Sequence, residues 1–273
     1  MTNKTWKKWT EEELELLKIH WESSDMKTLL SAFPNRNYNS LMLKAQQLGV
    51  KSKAGRKRKG SLEFLDTLTK DSCYWWGFII ADGHLSPKGE LVISLKSEDL
   101  PHLDKLATYL DCEISIRETI NTYTDSKYEM CFLRIQDKAF GQKWLKLFKI
   151  SSPKTYTPPD LSIFMTKERF ADFFAGMIDG DGCIWLTKGW GKIAPDWPNI
   201  RMELHGNWKN TLDIFSKKLK EFYEIESKVS FTKRGTCKIE INKVESVKTL
   251  MKSINSKDLL KRKWSKLETF TLL

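Results

Sequence analysis

The sequence is poor in cysteine and has no long apolar run. Its 273 residues include five cysteines, which lie far apart and never form a CxxC pair, so a disulfide framework and a zinc site are both disfavoured. We expect these thiols to be buried. No apolar stretch approaches the roughly 20 residues that a membrane helix needs, and the N-terminal lysines precede no hydrophobic segment of a signal peptide. We therefore expect an intracellular protein that uses no membrane.

Acidic side chains are outnumbered by basic ones. The chain has 46 basic and 35 acidic side chains and a net charge of +11. Residues 1–60 hold 13 of the basic and 6 of the acidic side chains, and 51–59 contain six basic residues without an acid. This excess predicts a polyanionic partner such as nucleic acid. For the basic run alone, a solvated linker or a sorting signal is the alternative interpretation.

The first fifty residues predict three short helices. Thr10 and Glu13 can form a capping box at the start of the first helix. The second is expected at 25–33, where Pro34 stops it, and the third at 37–48. Three helices of this length make a helix-turn-helix-sized unit.

The third predicted helix has an apolar face and a face of amides and cations, which suits base edges and phosphates in a major groove. A protein-binding helical bundle with an ordinary polar face is the alternative. The unit resembles the Myb/SANT-like helix-turn-helix class through Trp9, Thr10, Glu12, Glu13 and Trp21, although Leu41 stands where that class has a tryptophan in the third helix. The candidate DNA contacts are Arg36, Asn39, Gln46 and Gln47, with Lys57 and Lys59 on the basic linker.

One nine-residue pattern occurs twice, 99 residues apart: WWGFIIADG at 75–83 and FAGMIDGDG at 174–182. The apolar periodicity that follows each copy predicts the same order of elements, α-β-β-α-β-β-α. The predicted domains are a three-helix unit at 1–50, a basic linker at 51–70, a first repeat at 71–152, an inter-repeat linker at 153–165 and a second repeat at 166–273.

The pattern has a physical rationale. Small residues four apart share one helix face, so the backbones of two such helices can approach closely. These residues are Gly77 and Ala81 in the first copy and Gly176 and Gly180 in the second. Close packing would bring Asp82 and Asp181 together at two negative helix ends, which is favourable only with cations between them, and hard oxygen ligands favour Mg²⁺. A β-turn is the alternative interpretation of an isolated Asp-Gly pair.

At these residues the chain resembles the LAGLIDADG homing endonucleases of the single-chain, two-motif kind, over about residues 71–273. The resemblance implies an α+β fold with two pseudo-symmetric αββαββα repeats that form a DNA-binding saddle. It also implies that the eighth motif position, Asp82 and Asp181, holds divalent metal. The sixth position is acidic only in the second copy, as Asp179, and is Ile80 in the first.

The resemblance further implies a lysine near each metal, around the junction of the last strand and the following helix. Lys138 and Lys243 are the candidates there, and Gln136 and Asn242 compete for the same role. The polar sides of the predicted strands supply candidate phosphate and base contacts, with solvated sheet faces as the alternative. These residues are Arg117, Arg134, Arg201, His205, Lys228 and Lys238.

The function that we expect is that of a monomeric, site-specific endonuclease that hydrolyses both strands of double-stranded DNA with Mg²⁺, in the manner of intron homing. Two other functions use the same fold. One is that of an RNA-binding maturase that acts on intron RNA, and the other is that of a non-catalytic DNA-binding regulator. We expect the protein to work beside DNA in a bacterial or phage-infected cell, or in an organelle.

Overall fold

The computed structural model describes residues 8–23, 26–36, 38–50, 61–86, 89–120, 126–149, 154–188 and 197–268. The chain divides into two compact units, Met1–Lys57 and Arg58–Leu273, each with its own buried apolar core. Within the described ranges, no helix combines the length and the apolar character that a membrane crossing requires.

The first unit contains the three expected helices. These are α1 (Glu11–Ser23), α2 (Met26–Ala32) and α3 (Tyr38–Gln47). The capping box forms at the start of α1, where the Thr10 and Glu13 amides each donate to the other residue's side chain at 3.1 Å. The core consists of Leu17, Trp21, Leu29, Phe33, Leu41 and Ala45. Leu41 therefore fills the interior from the third helix, as its place on the apolar face predicts.

The second unit contains the two repeats in the predicted order. The first repeat comprises α5 (Lys70–Asp82), β1 (His84–Leu85), β2 (Glu90–Lys96), α6 (Leu100–Tyr109), β3 (Ile114–Ile120), β4 (Lys127–Gln136) and α7 (Lys138–Leu147), after a short α4 (Glu63–Asp66). The second comprises α8 (Lys167–Asp181), β5 (Gly182–Thr187), β6 (Trp197–His205), α9 (Lys209–Tyr223), β7 (Lys228–Phe231), β8 (Thr236–Ile241) and α10 (Val244–Ser253), followed by α11 (Lys261–Trp264). The α+β fold class with paired αββαββα repeats is confirmed.

Each repeat builds one antiparallel sheet of four strands. The strand orders are β1-β2-β4-β3 and β5-β6-β8-β7. Ile93 lies opposite Leu133 in the first sheet, and Ile200 lies opposite Ile241 in the second. Alternate residues such as these are buried in the main core, which leaves the intervening residues on an open face. Since β1 and β5 directly follow α5 and α8, each motif helix leads into an edge strand of its own sheet.

Part of each predicted linker packs into the core of the second unit. Leu62 and Leu65 are buried in the core of the second unit, and the Trp76 indole donates to the Leu65 carbonyl at 2.8 Å. Residues 61–70 therefore belong to the second unit. Leu161 and Phe164 are likewise buried, so the stretch predicted as an inter-repeat linker also contributes to this core.

The expectation that all five cysteines are buried is wrong. Cys73, Cys131 and Cys237 are buried, but Cys112 is half-buried and Cys183 is exposed; all five are free thiols. Cys183 alternates with the buried Ile184 on β5 and so falls on the open face of the second sheet. The alternation of apolar residues in β5 predicts that Cys183 is exposed, whereas the small number of cysteines in the chain does not.

Candidate active site and nucleic-acid interface

The helices α5 and α8 cross at two glycines. A Cβ atom added to Gly77 would lie 2.0 Å from the Phe173 carbonyl oxygen, and one added to Gly176 would lie 1.9 Å from the Tyr74 carbonyl oxygen. No side chain larger than hydrogen fits at these distances without separating the helices. The two backbones are therefore in direct contact, at equivalent positions of the two motif copies.

The same contact continues to the C-terminal ends of the helices. A Cβ atom on Gly180 would lie 2.3 Å from the Ala81 Cβ and 3.4 Å from the carboxyl carbon of Asp82. Asp82 and Asp181 are the last residues of α5 and α8, and both are accessible to solvent. The structure thus brings the two predicted acids together at two adjoining negative helix ends.

The electrostatics of the two acids reflect this arrangement. Partial loss of hydration is the main cause that raises the pKa of Asp181 to about 6, and repulsion from Asp82 adds to it. Burial also raises the pKa of Asp82, and the positive charges of Lys263 and Lys154 oppose that rise. Two carboxylates that are partly deprived of water and repel each other bind a proton or a cation more readily than isolated ones.

Two lysines cover the ends of the motif helices. Lys154 Nζ donates to the carbonyl oxygens of Ala81 at 2.9 Å and Gly83 at 2.5 Å. Lys263 Nζ donates to those of Asp179 at 2.6 Å and Gly182 at 2.7 Å. Each ammonium also contacts the carbonyls of two further residues, which are Ile79 and Ile80 for Lys154 and Ile178 and Gly180 for Lys263. The two sets occupy equivalent motif positions.

Burial lowers the pKa of both lysines. The pKa of Lys154 falls to about 8, although Asp181 and Asp82 favour its charged form. The pKa of Lys263 is also lowered, with Asp179 as the main opposing charge. A lowered pKa increases the fraction of an amine that is neutral at physiological pH, and the neutral form can accept a proton.

The lysines chosen from the sequence lie elsewhere. Lys138 is the exposed first residue of α7, and Lys243 is exposed immediately before α10. The lysines that influence both acids, Lys154 and Lys263, instead come after the last long helix of each repeat. Sequence reasoning missed them because these segments lack periodicity. No common spacing marks them either, since Lys154 lies 7 residues after the end of α7 and Lys263 lies 10 residues after the end of α10.

The donor set fits Mg²⁺ better than a metal that needs a complete protein cage. Among the residues that the structure describes, no group of three or more His, Cys, Asp or Glu side chains could hold a metal ion. Mg²⁺ is typically held by one or two carboxylates, with water and substrate phosphates as its other ligands. Asp82 and Asp181 match that requirement.

The open faces of the two sheets carry the predicted strand contacts, several of them in ion pairs. Arg134 lies 3.3 Å from Glu90, and both Arg201, at 2.6 Å, and Lys238, at 2.8 Å, contact Glu240. The remaining three are Arg117, exposed and 5.6 Å from the Phe132 ring centre, Lys228, exposed on β7, and His205, half-buried at the end of β6.

The candidate contacts of the first unit separate into three groups. Arg36 is directed into its own unit: its guanidinium contacts Glu13 at 2.8 Å, stacks on Trp9 at 4.2 Å and has an exposed side-chain fraction of only 9%. Its guanidinium is thus held within its own unit by these contacts. Gln46 and Gln47 are exposed on α3, and Asn39 lies on the same helix. Lys57 and Lys59 lie outside the described residues.

Comparisons with solved structures agree with this fold. No protein-family model matches the sequence, and no curated protein matches it. The homing endonuclease I-WcaI bound to its DNA recognition sequence has a TM-score of 0.55 and 15% identity, and the match covers 89% of this chain and 97% of that chain.

Two further structures are similar at lower scores. The LAGLIDADG homing endonuclease I-LtrWI bound to target DNA has a TM-score of 0.47 and 16% identity, and the match covers 78% of this chain and 90% of that one. Full-length DUF199/WhiA from Thermatoga maritima has a TM-score of 0.46 and 18% identity, over 78% of this chain and 66% of that one. The chain has the α+β fold of the LAGLIDADG proteins, with two four-stranded antiparallel sheets.

Proposed function

We propose that the protein is a homing endonuclease of the LAGLIDADG type, which cuts both strands of a specific duplex DNA site. The observation that carries this proposal is the pairing of Asp82 and Asp181 at adjoining helix ends, with one lysine covering each end. The fold that the chain shares with an endonuclease solved on its DNA supports it. Because one chain carries both acids, a monomer can serve both strands.

Asp82 and Asp181 would hold Mg²⁺ together with phosphate oxygens of the bound DNA. When bound, Mg²⁺ supplies positive charge that stabilises the attacking and leaving oxygens of a phosphodiester. With a cation between them and the DNA, the carboxylates would also fix the position of the scissile phosphates relative to the helix ends. Positioning and charge stabilisation supply most of the catalysis in phosphoryl chemistry, so the geometry of this helix pair is central to the reaction.

Lys154 and Lys263 would act in the proton transfer of the reaction. In its neutral form, Nζ takes a proton from the attacking water as the oxygen forms its bond to phosphorus. The P–O bond to the leaving oxygen then breaks, and that oxygen keeps the electron pair and takes a proton from solvent water. The lowered pKa of each lysine increases the fraction in the neutral form at physiological pH, which favours this role.

The two open sheet faces and the first unit would bind the DNA. Arg117 and Lys228 are exposed cations for phosphates, whereas Arg201 and Lys238 share Glu240 and are better suited to positioned contacts with base edges. The Myb/SANT-like unit would extend the contact through Gln46 and Gln47 on α3 and through the basic segment that follows it.

The test is cleavage of a random duplex library by the full chain, with Mg²⁺ or with EDTA, followed by sequencing of the cut ends. We expect Mg²⁺-dependent double-strand breaks at one long site. Asp82→Asn and Asp181→Asn should each suppress these breaks, with residual nicking of one strand at most, while DNA binding survives. Asp104→Asn makes the same substitution at an exposed aspartate outside the motif, and this control should cut like the wild type.

Double-strand cutting by either motif variant at the wild-type rate would refute the assignment of the acids. Sequence-specific DNA binding without breaks under any divalent metal would favour the non-catalytic regulator. Preferential binding of structured intron RNA, with faster splicing and no DNA cutting, would favour the maturase.

A further inference from the structure

Asp179 is a buried acid that the proposed chemistry does not use. It occupies the sixth position of the second motif copy, on α8, with an exposed fraction of 2%. Its carboxylate accepts hydrogen bonds from the Trp264 indole at 2.7 Å, the Leu260 amide at 2.8 Å and the Tyr74 hydroxyl at 2.8 Å. A buried carboxylate with three donors is strongly held, and each bond to it is of the charge-assisted kind.

Two of these donors flank Lys263. Leu260 lies three residues before it and Trp264 one residue after it, so Asp179 fixes the segment on both sides of the lysine. Arg262, next to Lys263, contributes a third anchor through a two-pronged contact with Asp99 at 2.6 and 2.7 Å. The Lys263 side chain itself is directed into the carbonyls at the end of α8 and is only 7% exposed.

The first repeat holds its lysine differently. The residue equivalent to Asp179 is Ile80, which offers no acceptor in its side chain. The loop next to Lys154 is held by neutral bonds: the Thr155 carbonyl accepts from the Trp208 indole at 3.1 Å, and the Tyr156 carbonyl accepts from the Asn207 amide at 2.7 Å. Lys154 is also half-buried, whereas Lys263 is buried.

We propose that Asp179 is a positioning residue for Lys263, and that it makes the two lysine sites of the protein unequal. The proposal rests on the function proposed above. Asp179 holds Lys263 in place before DNA binds, whereas Lys154 has no equivalent acid in its motif. Loss of Asp179 therefore slows cleavage of the one strand that Lys263 serves and leaves the other strand nearly unaffected.

The first test needs neither metal nor DNA. Reductive methylation of the full chain in EDTA, followed by mass spectrometry, measures how fast each lysine amine is modified. In Asp179→Asn, methylation of Lys263 should accelerate roughly tenfold, the factor that corresponds to the loss of one hydrogen bond to a charged group. Methylation of Lys154 should not change. An unchanged rate at Lys263 would overturn the proposal.

A second variant separates position from charge. Trp264→Phe removes one donor to Asp179 and keeps the carboxylate, so the electrostatic influence of Asp179 on Lys263 persists. Faster methylation of Lys263 in this variant therefore reports loosening of the segment. Trp264→Phe removes the indole N–H together with part of the ring and keeps an aromatic side chain at that buried position, so the test remains available if Asp179→Asn does not fold.

Asp172→Asn is the matched control. Asp172 is also buried on α8 and accepts from the amides of Asn255 and Ser256 at 2.7 Å each, in the same C-terminal segment but away from Lys263. This variant should lower the melting temperature without changing methylation of Lys263. An equal acceleration in Asp172→Asn would indicate general loosening of the segment and would refute a specific role for Asp179.

The second test uses a duplex target with a different label on each strand. Asp179→Asn should slow nicking of one strand about tenfold at saturating DNA, with unchanged affinity, while Asp172→Asn should preserve the wild-type ratio of the two rates. Equal slowing of both strands would overturn the proposal. If the wild type cuts no DNA, the proposed function fails, and the methylation experiment still decides whether Asp179 positions Lys263.

Discussion

At the scale of single residues, Asp82 and Asp181 are close because glycine and alanine allow their helices to touch. Reduced hydration raises the pKa of both carboxyl groups, and repulsion from Asp82 adds to the rise at Asp181. A carboxyl group whose pKa is higher in the folded state binds its proton more tightly there. Its contribution to stability is therefore favourable in acid and is lost as the pH rises through that pKa.

This leads to a prediction for Asp181→Asn. The carboxyl group of Asp181 loses its stabilising contribution over the pH range from its ordinary pKa of 3.8 to its pKa in the folded protein, about 6. At pH 7 without metal, the free energy of unfolding of the variant should exceed that of the wild type by on the order of 1 kcal/mol, after allowance for solvent screening of an accessible group. The difference between the two proteins should vanish toward pH 4. Thermal unfolding in EDTA at several pH values measures this.

Addition of Mg²⁺ gives the complementary result. Because a ligand that binds only the folded state stabilises it, Mg²⁺ should raise the melting temperature of the wild type and of Asp104→Asn, but not of Asp181→Asn. A variant that is less stable than the wild type at pH 7 in EDTA would contradict the assigned repulsion.

The sequence identified these acids but not the lysines beside them. A duplicated motif with a fixed spacing marks Asp82 and Asp181 directly, because both copies carry the same residue at the same position. Lys154 and Lys263 follow α7 and α10 at different distances, in segments without periodicity, so only tertiary contacts reveal their role. The contact of Arg36 with Glu13 is hidden in the sequence for a related reason, since the two residues lie 23 positions apart in the chain.

At the scale of elements, the packing of α5 against α8 depends on glycine. A methyl group on Gly176 would lie 1.9 Å from the Tyr74 carbonyl, and a backbone atom cannot yield as a flexible side chain can. Gly176→Ala should therefore lower the free energy of unfolding by roughly 3 kcal/mol and abolish cleavage as the acids separate. Urea denaturation measures the loss.

Ala81→Gly is the control for this prediction. It changes a residue at the same helix contact in the opposite direction, and its cost should be limited to the lower helix propensity of glycine, about 1 kcal/mol. Equal losses in the two variants would show that the helices do not pack through Gly176.

Most elements were predictable, and the exceptions have physical causes. The alternation of apolar residues in β2, β4, β6 and β8 is regular because one face of each is buried in the main core. β1 has only two residues, too few for a period of two to be visible, and becomes a strand by pairing with β2. The sequence predicts a linker at residues 61–70 because their basic neighbours dominate the local composition.

A third prediction concerns helix α3. Gln46 and Gln47 are exposed there, and a glutamine amide can make two hydrogen bonds to adenine. Replacement of both by alanine should relax base preference in one flank of the target by roughly 1 to 3 kcal/mol for each such pair lost. Replacement of Lys57 and Lys59 by alanine should weaken binding to all sequences alike, because lysines on a basic tether contact phosphate.

Selection of binding sites from a random library distinguishes the two variants. The opposite pattern, with preference lost without the lysines and kept without the glutamines, would show that α3 is not the element in the groove.

At the scale of the whole molecule, the two units have separate cores, so the first can be removed without opening the second. The natural cut lies before Ser61, whose amide donates to the Leu110 carbonyl at 2.8 Å, and before the buried Leu62. A chain of residues 61–273 retains both acids, both lysines and both sheets. We therefore expect it to fold and to cut DNA in the presence of Mg²⁺.

Affinity should fall in this truncated chain, because residues 1–60 carry much of the positive charge of the protein. Each lost phosphate contact should reduce the slope of log affinity against log salt by roughly 0.9, and the protected footprint should shorten at one end. A full-length variant with the six basic residues of 51–59 replaced by glutamine tests the contribution of the basic linker separately. It should lose salt dependence while it keeps the flank preference that depends on Gln46 and Gln47. If the truncated chain binds with unchanged affinity, salt slope and footprint, the first unit has a partner other than DNA, and the extended target proposed here is wrong.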